Sequence, residues 1–445
     1  MTHRPRTLRR SLSLAMIASA TLAVAACSPP GADDQDAAGA AAPTEVSTDL
    51  GEEPVELVLY DGAGLKAVDD ALIAAFTEQY PNVTITTRLD PDDVQAQNAP
   101  RVLSSDDPPD IARVNALADI AGNGQLTPLT PWADAYGWDI PEGQLANYTV
   151  DDDGVRGSGT QYTVASGYVL TGLYYNKEVA EQVGMTAPPT TVEELEAALA
   201  QAQAAGVTGI LAGNQTGQGT TSVQFLLNNQ LGREALNGWV FNQPDATIDT
   251  PEATEAVQTV VDWVEAGYFN DDANGTDNSQ ALGRFVAGES LFLASGNWDA
   301  ASLQEQMGDN VGFVLPPGTD ADSRLSMSNP VSNFAIPAGS DDKDAAAAFL
   351  DFLLSDEARQ VLVDQGFAPS GSGDAPTTDS ALSEEVQTAF ADLVEADGQV
   401  QFVQDATSGI NAAWLSQSQL LFDGRTTPEE YLATIQADYE EELGR

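Results

Sequence analysis

Histidine, cysteine and positive charge are scarce in this 445-residue chain. It has one histidine, His3, one cysteine, Cys27, and 17 Lys+Arg against 68 Asp+Glu, a net charge of -51. His3 belongs to a basic start with Arg4, Arg6, Arg9 and Arg10, followed by the apolar, Ala- and Leu-rich run Ser11 to Ala26. That run is short of the roughly 20 apolar residues that cross a bilayer, and it reads as the h-region of a signal peptide over residues 1–26. Its loss removes the only imidazole and four arginines, leaving 13 cationic side chains against 68 acidic ones, a net -55. Such a surface repels nucleic acid and anionic headgroups, so no nucleic-acid partner is expected. It also suits a salty medium that screens self-repulsion.

The leader ends at Val24-Ala25-Ala26-Cys27. Small residues before a cysteine resemble the bacterial lipobox, in which the thiol is acylated (palmitate among the acyl groups) and the signal is cut just before it. Arg9-Arg10 lacks the flanks of a twin-arginine signal, so the general export route is expected. With Cys27 lipidated, the mature chain has neither imidazole nor free thiol. That excludes His/Cys zinc sites, Ser-His-Asp triads and cysteine nucleophiles, and no cofactor signature is present. Residues 27–53 are Ala, Gly, Pro, Asp and Ser with almost no large apolar side chain. They read as a lipidated flexible tether, whose length of about 25 residues gives a typical reach of roughly 25–30 Å.

The folded part begins at Val55-Glu56-Leu57-Val58-Leu59-Tyr60, a strand by its alternation. Leu65, Val68, Leu72, Phe76 and Tyr80 follow at helical spacing, and Val83 to Thr87 reads as a second strand. Strand, helix, strand is the unit of a parallel sheet. Thr191 with Glu194 forms a capping box, Thr250-Pro251 starts a helix striped by Val257, Val260, Val261 and Val264, and Thr427-Pro428-Glu429-Glu430 caps a last helix. Asp342 to Leu354 and Ser355 to Asp364 read as consecutive helices. Gly312 to Leu315 and Phe334 to Ile336 read as strands. The class is α/β.

Several segments, in order, resemble the sugar-binding proteins of ABC importers, the family 1 extracellular solute-binding proteins similar to maltose-binding protein. They are Ala74 to Pro81, Pro109-Asp110-Ile111 with Val114-Asn115, Gly172 to Glu178, Pro188 to Leu195, Phe285 to Glu289 leading to Gly296-Asn297-Trp298, Phe349 to Ala358, and Gly424 to Glu430. The resemblance implies a type II periplasmic-binding-protein-like fold, with two lobes, each a mixed sheet flanked by helices, and a hinge between. It implies one lobe from 54–163 and 330–372, and another from 164–329 and 373–445. Ala165 departs from the proline often found there in the family, which loosens the correspondence around Ser166 to Tyr168.

A sugar offers flat apolar faces and many hydroxyls, so its site needs rings to stack on and short polar groups for the rim. The resemblance places such contacts at Tyr60-Asp61-Gly62, Asn115, Ser166 to Tyr168, Asn297-Trp298-Asp299, Asn329 and the Asn411 to Trp414 region. Trp298 stands out because it follows Gly and Asn at the end of an apolar run. Asp61 and Asn115 follow strand ends, where loops of open α/β sheets face ligand. Tyr60, Tyr168, Trp239 and Trp414 each suit either a cleft or a core, with Trp239 in a stretch, Leu236 to Phe241, that reads as a cleft-lining loop. Arg113 in a cleft would favour a carboxylate- or phosphate-bearing solute; a surface ion pair with one of the many acids is the other reading. Asn270-Asp271-Asp272-Ala273-Asn274-Gly275 opens like a calcium loop, but its twelfth position is Ala281 where a bidentate glutamate is required. It reads as an Asn/Asp-rich turn, as does Asp151-Asp152-Asp153-Gly154, and no metal site is expected.

The expected function is therefore capture without covalent chemistry. A monomeric lipoprotein on the outer face of the cell membrane closes on a mono- or oligosaccharide and delivers it to ABC permease subunits, touching the membrane through its lipid anchor alone. The alternatives are a secreted carbohydrate-active hydrolase using paired carboxylates, and a sugar-sensing lipoprotein that does not transport.

Overall fold

The computed structural model describes residues 42–445 apart from 322–323, 374–375, 379 and 408, and leaves out the side chains of 92–93. His3, the expected signal peptide and Cys27 lie outside the described residues. The first strand, Val55–Gly62, alternates Leu57 and Leu59 toward one core and Tyr60 toward another. It pairs in parallel with Val83–Asp90 and with Ile111–Arg113. The helix between the first two strands, Lys66–Gln79, buries Val68, Leu72 and Phe76, one residue short at each end of the expected span. Asn333–Ala335 then joins antiparallel to Ile111–Arg113, and Thr163–Ala165 closes the five-stranded sheet.

A second sheet of four strands runs in the order Val311–Val314, Thr171–Asn176, Ser290–Gly296, Thr208–Leu211. Each sheet is covered on both faces by its own apolar cores, giving a mixed α/β, two-lobe fold. Both capping boxes read from sequence are present, on Val192–Ala204 and Pro428–Leu443. The valine-striped helix Pro251–Glu265 buries Val257 and Val260, and Trp263 reaches Glu196 on the neighbouring helix, its Nε1 donating at 3.0 Å. Asp151 heads a turn as expected, its Oδ1 accepting from the Asp153 and Val155 amides.

Three segments carry the chain between the sheets, and they are tied to one another. The first, 166–170, lies between the second, 328–332, and the third, 368–373. The Val331 amide donates to Gly167 O (2.8 Å) and Val169 N to Asn329 O (3.0 Å) on one side. On the other, Ala368 and Pro369 pair antiparallel with Tyr168 and Gly167. Gly167 is the point of closest approach. A Cβ there would lie 2.7 Å from Ala368 O and 2.7 Å from Leu362 Cδ1, so no larger residue fits without moving a strand.

Residues 42–53, the described part of the expected tether, contain no helix or strand. Val46 and Leu50 nevertheless pack against the first lobe's core, and the Ser47 amide donates to Asp344 Oδ1 at 3.0 Å.

The stretch Leu236 to Phe241 is not a loop. It belongs to a helix, Gln218–Val240, broken only at Gly232. Asn228, Asn229 and Gln230 interrupt the apolar periodicity, and Gly232 with φ 77° and ψ 168° re-aims the second half. That conformation is open essentially to glycine alone. We predict that Gly232→Ala destabilises the fold by about 1–3 kcal/mol. Gly283→Ala, on the exposed face of helix Asn278–Val286 with nothing within 4 Å of the new Cβ, should gain about 0.5–1 kcal/mol. Urea midpoints of the two variants moving in the same direction would refute the account.

Candidate functional site

In the first sheet the parallel strands end at Gly62, Asp90, Arg113 and Ala165 on one edge, the edge from which 166–170 departs. In the second, Gly296 ends its strand opposite Thr171, where the chain arrives from the first lobe. The loops at 62–65 and 114–116 and the turn Asn297–Asp299 therefore all lie at the hinge edges of their sheets. Parallel strand ends direct loops and backbone N–H groups to such an edge, which is why ligands of open α/β sheets are held there.

Asn297 is a splint. It is buried, its Oδ1 accepts from Leu170 N at 3.1 Å, its Nδ2 donates to Tyr168 O at 3.2 Å, and its own amide donates to Leu170 O. With its amide group so occupied, it fixes the turn to the first crossing instead of meeting solute. Trp298 comes next and is 48 % exposed, the one large hydrophobic so exposed among the described residues. Its ring lies against the backbone of Gly296, where a Cβ would come within 2.2 Å of it. Asp299 is half-buried and accepts from Ser295 Oγ at 2.5 Å; desolvation raises its pKa, with the Ser295 and Trp298 hydrogen bonds opposing.

Asp61 is fully buried. Its Oδ1 accepts from Gly62 N (2.5 Å) and pairs with Arg113 Nε (3.0 Å), and its Oδ2 accepts from Ser332 Oγ (3.0 Å) on the second crossing. Asp69, also buried, is hydrogen-bonded to Asp61, and its carboxyl is pushed up to about 8. Desolvation is the larger cause and the Asp61 charge the next, with Arg113 working against both. Both causes hold the Asp69 carboxyl toward its protonated form. Of the two readings of Arg113, the ion pair is the one found, and it is internal: the guanidinium is engaged by Asp61 and faces no solute.

Four aromatic candidates are core residues. Tyr60 is buried and donates to Asp90 Oδ2 at 2.7 Å, an arrangement that pushes its phenol up to about 12, desolvation first. Tyr168 is buried with its hydroxyl 2.5 Å from that of Tyr148. Trp239 stacks on Tyr439 with centroids 4.4 Å apart, donates to Gln436 Oε1 at 3.1 Å, and meets Trp414 edge-on at 6.0 Å. Both tryptophans are fully buried, so packing against the last helix replaces the ligand stacking considered for them. Ser166 is buried in the first crossing, its amide donating to Ser332 O.

Asn115 and Asn411 remain exposed, the former donating to Gln95 Oε1 at 3.3 Å. Asn329 is half-buried; its Nδ2 donates to Asp405 Oδ2 at 2.5 Å and its Oδ1 accepts from Phe402 N at 3.0 Å. Through Asp405 it leads to two residues that no sequence motif flagged. Arg156, on the turn after Asp151, lies 4.7 Å from the Phe241 ring centroid and is attracted to Asp405. Arg156 is half-buried, and desolvation pulls its guanidinium down to about 10 with the charge of the exposed Asp405 opposing. The only signal for Arg156 was its rarity in so acidic a chain.

The Asn270 to Gly275 turn spends its oxygens internally. Asn270 Oδ1 accepts from Ala212 N, Asn270 Nδ2 donates to Asp272, Arg284 donates to Asp272 at 3.0 Å, and Asn274 bridges Asn214, Gln419 O and Asp423. An arginine thus neutralises Asp272. Two surface hollows of about 360 and 410 Å³ lie by the opposite end of the first sheet, near Glu56, Asp106 and Asp342, away from these groups.

The sequence pattern of the bacterial extracellular solute-binding proteins matches residues 13–360. The chain belongs to that family. A protein of Mesorhizobium japonicum named as a sugar-binding periplasmic protein is 25 % identical over 269 residues, 59 % of this chain and 61 % of that relative. The matched stretch thus spans about three fifths of the relative's length. The solved structure of the solute receptor AcbH, titled for its preference for β-D-galactopyranose, superposes with a TM-score of 0.73 at 17 % identity, covering 88 % of this chain and 99 % of that one. A family 1 extracellular solute-binding protein from Bifidobacterium longum subsp. infantis gives 0.72 at 18 % identity, covering 87 % and 100 %. At such identities the two superpositions speak for the type II two-lobe fold.

The Asp61–Asp69 pair within this solute-binding fold carries a pH signature. A carboxyl raised in the folded state contributes stability that is complete below its unfolded pKa of about 4 and is lost as pH rises through about 8. Asp69→Asn keeps a donor to Asp61 without the ionisation. We expect its thermal midpoint to fall less than the parent's between pH 5 and pH 9, with a relative gain of about 2 kcal/mol or more at pH 9. Parallel profiles for the two proteins would show that Asp69 does not hold that proton.

Proposed function

We propose that this solute-binding protein captures a neutral carbohydrate between its lobes, outside the cytoplasm, and delivers it to ABC permease subunits. The observation that carries the reading is Trp298, an exposed indole at the hinge edge of one lobe. A ring so placed offers a stacking face to the apolar side of a sugar. Asp299, Asn115, Asn411 and Asp405 supply short polar groups of the kind that bind vicinal hydroxyls, while Asn329, its amide engaged by Phe402 and Asp405, holds Asp405 in place. Residues 54–165 with 330–372 form one lobe, and 166–329 with 373–445 the other, the boundary expected at 163 moving to 165 because Thr163–Ala165 is a strand of the first sheet. Closure about the three crossings signals occupancy provided the solute binds the closed state more tightly. The sugar-binding name of the Mesorhizobium relative and the galactopyranose preference of AcbH agree in solute class.

Cys27 anchors the mature monomer through lipid, and the segment from Cys27 toward Val46 gives it reach above the membrane. Export and anchoring predict that Cys27→Ser, expressed with its leader, moves from the membrane fraction to the soluble one. Retention in the membrane would remove the anchor from the proposal.

A thermal-shift panel on the leaderless chain tests the solute class. It should include D-galactose, maltotriose, xylobiose and N,N′-diacetylchitobiose beside amino acids, polyamines and sugar phosphates. One neutral sugar class should raise the midpoint by mass action, and Trp298→Ala should weaken its binding about tenfold or more. Shifts from amino acids, polyamines or sugar phosphates alone would overturn the carbohydrate assignment. Cleavage products from any oligosaccharide would overturn pure capture.

A further inference from the structure

The third crossing differs from the other two in how it ends. Its ladder with the first crossing stops at Pro369, opposite Gly167. Ser370 Oγ adds one bond, to Ala165 O at 2.7 Å. The chain then bends through Gly371, at φ 73°, toward Gly373 before the second lobe's helix Ala381–Glu395. Such a bend would be the loosest part of the hinge were it held only by backbone pairing.

It is held by Arg359. This residue stands on helix Asp356–Asp364, whose Ala358 and Leu362 are part of the first lobe's core. Arg359 is 5 % exposed, an expensive place for a charge unless hydrogen bonds compensate. Its Nη1 donates to Ser370 O at 2.7 Å and Gly371 O at 3.3 Å, and its Nη2 donates to Gly373 O at 3.1 Å. Three carbonyls of the bend thus converge on one planar fork, a geometry that an ammonium cannot copy. Gln144, also buried, accepts at Oε1 from Gly371 N at 2.9 Å, and the Ser372 amide donates to Asp139 O at 3.3 Å.

We propose that Arg359 is a positioning residue that clamps the first-lobe end of the third crossing and so fixes where lobe rotation begins. The clamp belongs to the first lobe and grips three main-chain carbonyls of the bend, so it constrains the path of closure. With it in place, the bend at 370–373 moves as part of the first lobe. Without it, the bend yields and the lobes sample a wider range of mutual orientations. The inference rests on the reading that the lobes move about these crossings to capture solute.

The test is a distance measurement without ligand. Spin labels at Glu78→Cys on the first lobe and Glu255→Cys on the second, in a leaderless Cys27→Ser chain, report the inter-lobe distance distribution by pulsed electron resonance. Both positions are exposed. Arg359→Met should broaden the distribution relative to the parent, and Arg359→Lys should fall between them. Should Arg359→Met fail to fold, Arg359→Lys and Gln144→Met, which each remove part of the clamp, must still broaden it. Superimposable distributions in the folded variants, whatever their melting points, would overturn the proposal and leave Arg359 a stability residue only. Adding maltotriose, D-galactose or N,N′-diacetylchitobiose to the parent tests the solute reading separately. No contraction with any sugar counts against carbohydrate capture, while the ligand-free comparison still decides the clamp.

Discussion

The buried carboxylate of Asp61 is the group on which the geometry of the candidate site depends. A charge wholly removed from water is tolerated only if paired and hydrogen-bonded, and here every partner comes from a different part of the chain. Arg113 ends a neighbouring strand, Ser332 lies in the second crossing, Gly62 begins the loop toward the cleft, and Asp69 sits on the first helix. Two aspartates against one arginine would leave surplus negative charge inside the lobe. Desolvation and the Asp61 charge, which push the Asp69 carboxyl toward its protonated form, lessen it. Strand ends, loop and hinge are therefore set by one electrostatic requirement.

The two lobes bring different things to the hinge edge. The first contributes a rigid polar frame whose charges are internally consumed. The second contributes the exposed Trp298, held in place by Asn297 bonding to the crossing chain and by the bare backbone of Gly296 beneath the ring. On the proposed reading, with the exposed indole on one side and a fixed frame on the other, closure is the step that completes the site.

Much of this was legible in the residues because local chemistry decided it. Thr191 and Thr427 cap the helices that their spacing announces, and the strand ending at Gly296 presents Trp298 as its Gly-Asn-Trp order suggests. What was illegible turned on distant partners. Trp239 and Trp414 look alike in sequence whether they face a cleft or a core; Tyr439 and Gln436, some 200 residues from Trp239, decide it. Asp61 at a strand end reads as a ligand contact until Ser332, 271 residues away, takes its second oxygen. Arg359 has no motif at all, since the main-chain carbonyls of Ser370, Gly371 and Gly373 that it grips carry no side-chain signature.

The scarcity of cations then acquires a consequence for the solute. Arg113 and Arg359 are buried, and Arg156, Arg233 and Arg284 are half-buried against a ring or carboxylates. The positive charges are thus largely spent on holding the fold, while the acids, at four times their number, dominate the outer field. An anionic solute approaching such a molecule is repelled at long range and finds no uncommitted guanidinium at Arg113 to reward its arrival. A neutral, hydroxyl-rich solute meets no such barrier and matches the amides, carboxylates and indole that remain. Charge economy therefore favours the same class of ligand as the proposed site chemistry.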